Sequence, residues 1–125
     1  MPAPQTTQAA PRASERITEE VTSWPGVTAG PGRRGEFAFR VGRREIGHLH
    51  GDHAAHFSFP KAVWTELMAQ HRIEPHPVFP NAQGPAARRI TTDDDVTDVI
   101  RLVRLNYDRL SGRDAPTATR AGADQ

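Results

Sequence analysis

Residues 36–52 read EFAFRVGRREIGHLHGD. Phe37, Phe39 and Val41 alternate with Glu36, Ala38 and Arg40, the period of two that marks a half-buried strand. Gly42-Arg43 forms a two-residue turn and Arg44 to His50 returns as a second strand, so the stretch is an antiparallel hairpin. A turn of that length pairs Val41 with Arg44, Arg40 with Glu45, Phe39 with Ile46 and Phe37 with His48. His48 and His50, two apart on one strand, then share the phenylalanine face and look into the core or a pocket floor. A slip by one residue would turn them to the Arg40 face. The first register is expected, because it groups Ile46 with the phenylalanines and sets Arg40 against Glu45.

Upstream, Ser14 is a candidate N-cap for a short helix in which Ile17, Val21 and Trp24 recur at i, i+4 and i+7, and Pro25-Gly26 ends it. Val27 to Ala29 is a short strand, followed by the turn GPGRRG at 30–35. Downstream, His53 and His56 are placed on a solvated connection. Phe59-Pro60 opens a helix with the apolar stripe Val63, Trp64, Leu67 and Met68, ending near His71. IEPHPVFP, residues 73–80, is extended, since each proline pushes the residue before it out of the helical region; it is an edge strand or a wall. AARRIT, residues 86–91, is a last strand. The final helix opens on Asp93, Asp94 and Asp95 and carries Arg101, Arg104 and Arg109 further on, matching its macrodipole. Val96, Val99, Ile100, Val103, Tyr107 and Leu110 share one face and Leu105 lies opposite, a candidate packing or dimer contact. The order is α-β-β-β-α-β-β-α: an α+β domain, an antiparallel sheet of about five strands with helices packed on one face.

The chain has 125 residues, 36% of them hydrophobic, which is one domain. Residues 14–110 are expected to hold it, with residues 1–13 and 111–125, poor in large apolar side chains, as disordered tails. Cysteine is absent, which excludes disulfides and thiolate metal sites. No apolar run reaches membrane-spanning length and no signal-peptide pattern opens the chain, so a cytoplasmic protein is expected. The formal charge of +1 does not argue for nucleic acid. Locally, Arg33, Arg34, Arg40, Arg43 and Arg44 against Glu36 and Glu45 give the hairpin a net +3, a basic patch.

His48-Leu49-His50-Gly51-Asp52-His53 spells H-x-H-x-D-H, the spacing of two-zinc metallo-β-lactamase-type hydrolases. That fold needs roughly twice this length and more ligands downstream, where beyond the nearby His56 the remaining histidines are His71 and His76. The histidines are better read as a smaller site. His48, His50 and His76, held between Pro75 and Pro77, form a set that suits zinc or another divalent metal, with Asp52 as orienter or fourth ligand. Without metal, the same groups bind an anion or act as general acid and base. The balancing reading is a pair of satisfied structural histidines. Ser58 lacks a nucleophile elbow, and no phosphate-binding or dinucleotide fingerprint is present.

The segments WPGVTAGPGRRGEFAFRVGRREIGHLHGD (24–52), FP (59–60), EPHPVFP (74–80) and VIRLVRLNYDRL (99–110) resemble a small bacterial family called the luciferase domain. The resemblance implies that His48, His50, Asp52 and His76 sit at the family's recurrent positions and that His53 and His56 do not. It implies no light-emitting activity, which needs a luciferin and oxygen chemistry. Where the family has a Gly-Trp pair before the last strand, this chain has Gln83-Gly84-Pro85-Ala86-Ala87, a change expected to reshape the pocket wall. A weaker, fold-level likeness is to the YjbR-like (CyaY-like) proteins, a family suggested to bind DNA. Two hypotheses follow: a histidine-lined site for a small molecule or metal, or a non-enzymatic module contacting nucleic acid or an acidic partner through the Arg33–Arg44 hairpin. The first predicts a concave pocket lined by histidine, the second a flat basic face.

Overall fold

The computed structural model describes residues 11–114, and the expected tails fall largely outside them. Helix α1 (Ala13–Thr22) leads into four consecutive antiparallel strands. These are β1 (Val27–Pro31), β2 (Phe37–Val41), β3 (Arg44–His50) and β4 (Ala54–Ser58). Helix α2 (Lys61–Ala69), the short β5 (Glu74–Pro75), β6 (Pro85–Arg89) and helix α3 (Asp93–Asp114) complete the chain. The six strands form one antiparallel sheet in the order β1-β2-β3-β4-β6-β5, an α+β fold with one strand more than expected. The additional strand is β4, which had been read as a loop. Ala55, Phe57 and Phe59 do alternate there and are all buried, but a strand with two alanines and a histidine carries little apolar signal.

The helices share one face of the sheet, where Ile17 and Val21 of α1, Leu67 of α2 and Val96, Val99, Leu102 and Val103 of α3 pack over Phe39, Leu49 and Phe57. Helix α1 is capped at Arg12 rather than Ser14. The Ser14 N–H instead donates to the carboxylate of Asp52 at 2.9 Å, which ties the helix start to the β3–β4 turn. Helix α2 ends on His71, whose left-handed backbone (φ 59°) lets Arg72 N–H reach the Leu67 carbonyl, a Schellman arrangement. The Asp93–Asp95 run does start α3. Thr92 and Asp95 exchange side-chain-to-backbone hydrogen bonds as a capping box. Arg88 of β6 then reaches Asp95 at 2.7 Å and Asp98 at 2.6 Å, clamping the helix onto the sheet. Leu105 stays exposed on the outer side of α3.

The hairpin turns as expected at Gly42-Arg43, with Gly42 at φ 61°, Val41 opposite Arg44 and Arg40 opposite Glu45. Beyond that the pairing shifts. Phe39 faces Gly47, Ala38 faces His48 and Phe37 faces Leu49, so Ile46 is an extra residue, a β-bulge. The expected partnership of Phe37 with His48 is thereby corrected, and the histidines lie on the Arg40 face, away from the helices. Gly47 shows why this shift is favoured. A Cβ there would stand 3.3 Å from the Phe57 ring, tighter than ordinary contact, and 3.5 Å from Val103, so the glycine lets Phe57 and α3 close over the sheet without adjustment. Histidine in that position would meet the helix.

The bulged carbonyl is satisfied by Asn106, a buried polar side chain on α3. Its amide donates to Ile46 O at 3.3 Å and to Ser58 O at 3.2 Å, while its oxygen accepts from Arg109 at 2.8 Å. Next to it, the Tyr107 hydroxyl donates to Pro25 O at 2.7 Å, fastening the other end of the sheet layer. Replacing Asn106 by leucine keeps the branched outline but removes both hydrogen bonds to the carbonyls, so Asn106→Leu is expected to lower stability by about 2–3 kcal/mol. Urea unfolding of the two proteins checks this; an unchanged midpoint would show that the amide does not hold the bulge.

Candidate functional site

The open face of the sheet carries a cavity of about 350 Å³. It is lined by Arg33, Arg34, Glu36 and Arg40 from β2 and the turn before it, and by Glu45, His48 and His50 from β3. His56 of β4, with His76, Val78 and Phe79 from the proline-rich segment, completes the wall. Alternation along β3 points His48 and His50 the same way. The pairing of His48 with His56 across β3 and β4 puts a third ring directly alongside. Ring centroids lie 4.9 Å apart for His48 and His50, 4.2 Å for His50 and His56, and 4.4 Å for His56 and His76.

Three of the four candidate residues, His48, His50 and His76, are thus brought together; Asp52 is not. It sits at the β3–β4 turn, where the hydrogen bond from Ser14 holds its carboxyl below the usual range. His56, expected on a solvated loop, is instead 9% exposed in the middle of the cluster. It was missed because recognising it requires knowing that β4 is a strand and that it pairs with β3. His53 is exposed in the turn. Residues 83–87, where the family's Gly-Trp pair is replaced, do not line the cavity; Val78 and Phe79 form the wall on that side.

The hydrogen bonds assign protons. His48 Nδ1 lies 2.6 Å from Glu45 Oε2, so it donates to the carboxylate, and in the neutral ring Nε2 keeps the lone pair. His76 is the reverse. Its Nδ1 accepts the Val78 N–H at 3.1 Å, so in the neutral ring Nε2 carries the hydrogen and acts as a donor. Burial pushes the His56 pKa down to about 4, helped by the neighbouring His50, His76 and His48. Burial and the adjacent His48 lower His50, and burial with His48, His50 and Arg34 lowers His76. These imidazoles are unprotonated near neutral pH, which is the form that binds metals or takes up protons. One nitrogen from each of His48, His50 and His56 can be placed so that all lie within 4.8 Å of one another. Glu36, Glu45 and His48 form an overlapping set by the same measure.

A family model described as the luciferase domain matches residues 43–106, just over half of the chain. The chain belongs to the luciferase-domain family. All four cavity histidines and Asn106 fall inside the matched segment of this luciferase-domain protein, whereas Arg33, Arg34 and Arg40 precede it. No curated protein and no solved structure matches the chain, and a relation to the YjbR-like proteins is not shown. Among the described residues no helix is long and apolar enough to cross a membrane.

The depressed His56 pKa has a consequence for stability. Between the ordinary value of 6.5 and about 4 the unfolded chain binds a proton that the folded chain refuses. Stability is therefore full above pH 6.5 and falls as pH drops through that window, by roughly 2–3 kcal/mol. Urea unfolding at pH 7.5 and pH 5, in the presence of a chelator, should show more than half of this loss, and His56→Gln should reduce it. Equal pH dependence in the two proteins would mean that His56 is not held neutral.

Proposed function

We propose that this cavity is a small-ligand site whose floor is a divalent metal held by His48, His50 and His56. The observation that carries the reading is that one nitrogen from each of three imidazoles lies within 4.8 Å of the other two beside an open cavity. Neutral imidazole is a good ligand for zinc and for ferrous iron or nickel. Three protein ligands leave a coordination position open toward the cavity, the arrangement of catalytic rather than structural zinc sites. Glu45 supports the reading, because a carboxylate on the far nitrogen of a ligating histidine fixes its tautomer and raises its basicity. His76 is not a fourth ligand in this scheme, since its Nδ1 is engaged by the Val78 N–H. It offers an Nε2 hydrogen to whatever the cavity holds. A metal here would polarise a bound oxygen or lower the pKa of a bound water.

The Glu45–His48 contact favours one second reading, in which His48 is a general base oriented by Glu45 and no metal is needed. Contact with nucleic acid or an acidic partner has less behind it. Arg33, Arg34 and Arg40 line the histidine cavity and leave Arg43 and Arg44 near the hairpin turn, too few for an extended phosphate track.

The test is metal content, by mass spectrometry, of tag-free protein offered zinc, iron and nickel. Stoichiometric metal is expected in the parent protein and in His76→Ala, with at least a tenfold loss in a His48→Ala/His50→Ala variant whose circular dichroism is unchanged. A parent protein that takes up none of the three metals would overturn the metal centre and leave the Glu45–His48 base.

A further inference from the structure

The cavity is polarised across the sheet. Arg33, Arg34 and Arg40 line it on the β1–β2 side, the histidines form the middle, and Val78 and Phe79 stand at the β5 side. Elsewhere in the molecule, the guanidiniums of Arg12, Arg16, Arg72, Arg88, Arg89 and Arg104 each sit on a carboxylate, while Arg43, Arg44 and Arg101, which do not, are exposed on the outer surface. Among the described residues, no hydrogen bond or ion pair engages the guanidiniums of Arg33, Arg34 or Arg40. The two cavity glutamates form no ion pair with them. Glu36 accepts the backbone N–H of Arg34 at 3.0 Å, and Glu45 is taken by His48. At the other end, Val78 and Phe79 are large apolar side chains 56% and 51% exposed. Their segment is stiff: Pro75, Pro77 and Pro80 lock φ, and Phe79 N–H donates to His76 O at 3.1 Å. An uncovered apolar wall on a rigid segment facing unpaired arginines is the shape of a binding site, with polar groups that orient and apolar groups that enclose.

We propose that the ligand is a small amphiphilic organic anion. Its oxyanion head is held by the guanidiniums of Arg33, Arg34 and Arg40, and its apolar body lies against Val78 and Phe79, so that its middle crosses the histidines. The proposal rests on the cavity being a ligand site, as above, and not on the identity of any ion in it. Three arginines against two glutamates leave the cavity net positive before any imidazole is counted, and a divalent ion adds to that charge. Carboxylate and phosphate share the planar, bidentate match to guanidinium that this end offers.

The test titrates octanoate, octyl phosphate and 1-octanol into the full chain by calorimetry, with metal content measured on the same samples. At least one of the two anions should bind, with the alcohol at least tenfold weaker; the stronger anion names the head group. Arg33→Ala/Arg34→Ala, in an exposed turn, and Phe79→Ala, on the exposed wall, should each weaken that anion about tenfold with metal content and melting temperature unchanged. Equal binding of alcohol and anion, no binding of either anion, or full affinity in both variants would overturn the proposal. The metal reading fails separately. Metal-free protein that binds an anion in an arginine-dependent way upholds the ligand class and removes the ion, whereas metal-loaded protein that ignores both anions does the opposite.

Discussion

The Asn106 amide reaches from helix α3 into the sheet and donates to two carbonyls, one at the bulged Ile46 and one at Ser58 where β4 ends. A bulge leaves a backbone group without its ladder partner, and under a helix that group has no water to turn to. Asn106 supplies the missing hydrogen bond and so permits an extra residue in β3 at the point where the helix presses on the sheet. From that insertion the rest follows. Ile46 joins the core, Gly47 lies beneath Val103, and His48 and His50 turn to the opposite face. Without the insertion, the alternation of β3 would drive two imidazoles into the helix interface.

Four imidazoles within a few ångströms are unfavourable if charged, and burial makes charging costlier still. The structure holds them by keeping most of them neutral and by giving two a fixed hydrogen-bond role. His48 is bonded to Glu45, and His76 to the backbone of its own proline-rich segment. His56, the most buried of the four, gains no side-chain hydrogen bond among the described residues, and it is the ring whose pKa falls furthest. A desolvated, unsatisfied nitrogen among three others is an arrangement that a metal ion or a ligand donor would stabilise.

The walls are as constrained as the floor. The proline-rich segment pairs with β6 through Glu74 and Pro75 alone and then leaves the sheet, so Val78 and Phe79 project over the cavity from an edge that cannot extend further. On the other side, Gly32 leaves space that a larger residue would take from the Glu36 carboxylate, and the arginines of the same turn are free to face inward. Rigid apolar groups and adaptable cationic ones thus flank a single row of histidines.

Much of this fold was legible in the residues. The alternation of Phe37 to Val41, the Gly42-Arg43 turn and the aspartates opening α3 all act locally, through side-chain period, backbone sterics and capping, and each stands as the sequence implies. Of the proline run expected to be extended, only Glu74–Pro75 is strand, and the Phe79 N–H then turns back to His76 O. The grouping of His48, His50 and His76 was also within reach, since two share a strand face and the third lies on a wall segment. Three things required the tertiary structure. A period of two states which residues share a face but not which face, and the bulge at Ile46 reversed the answer because Gly47, Phe57 and Val103 compete for the same space. His56 entered the cluster through a strand whose existence depends on pairing with β3 and β6. Asp52 was drawn to α1 because the N–H of Ser14, distant in sequence and in the helix's first turn where no intrahelical carbonyl is available, takes its carboxylate. In each case the deciding contact joins residues far apart in the chain, and no local pattern encodes it.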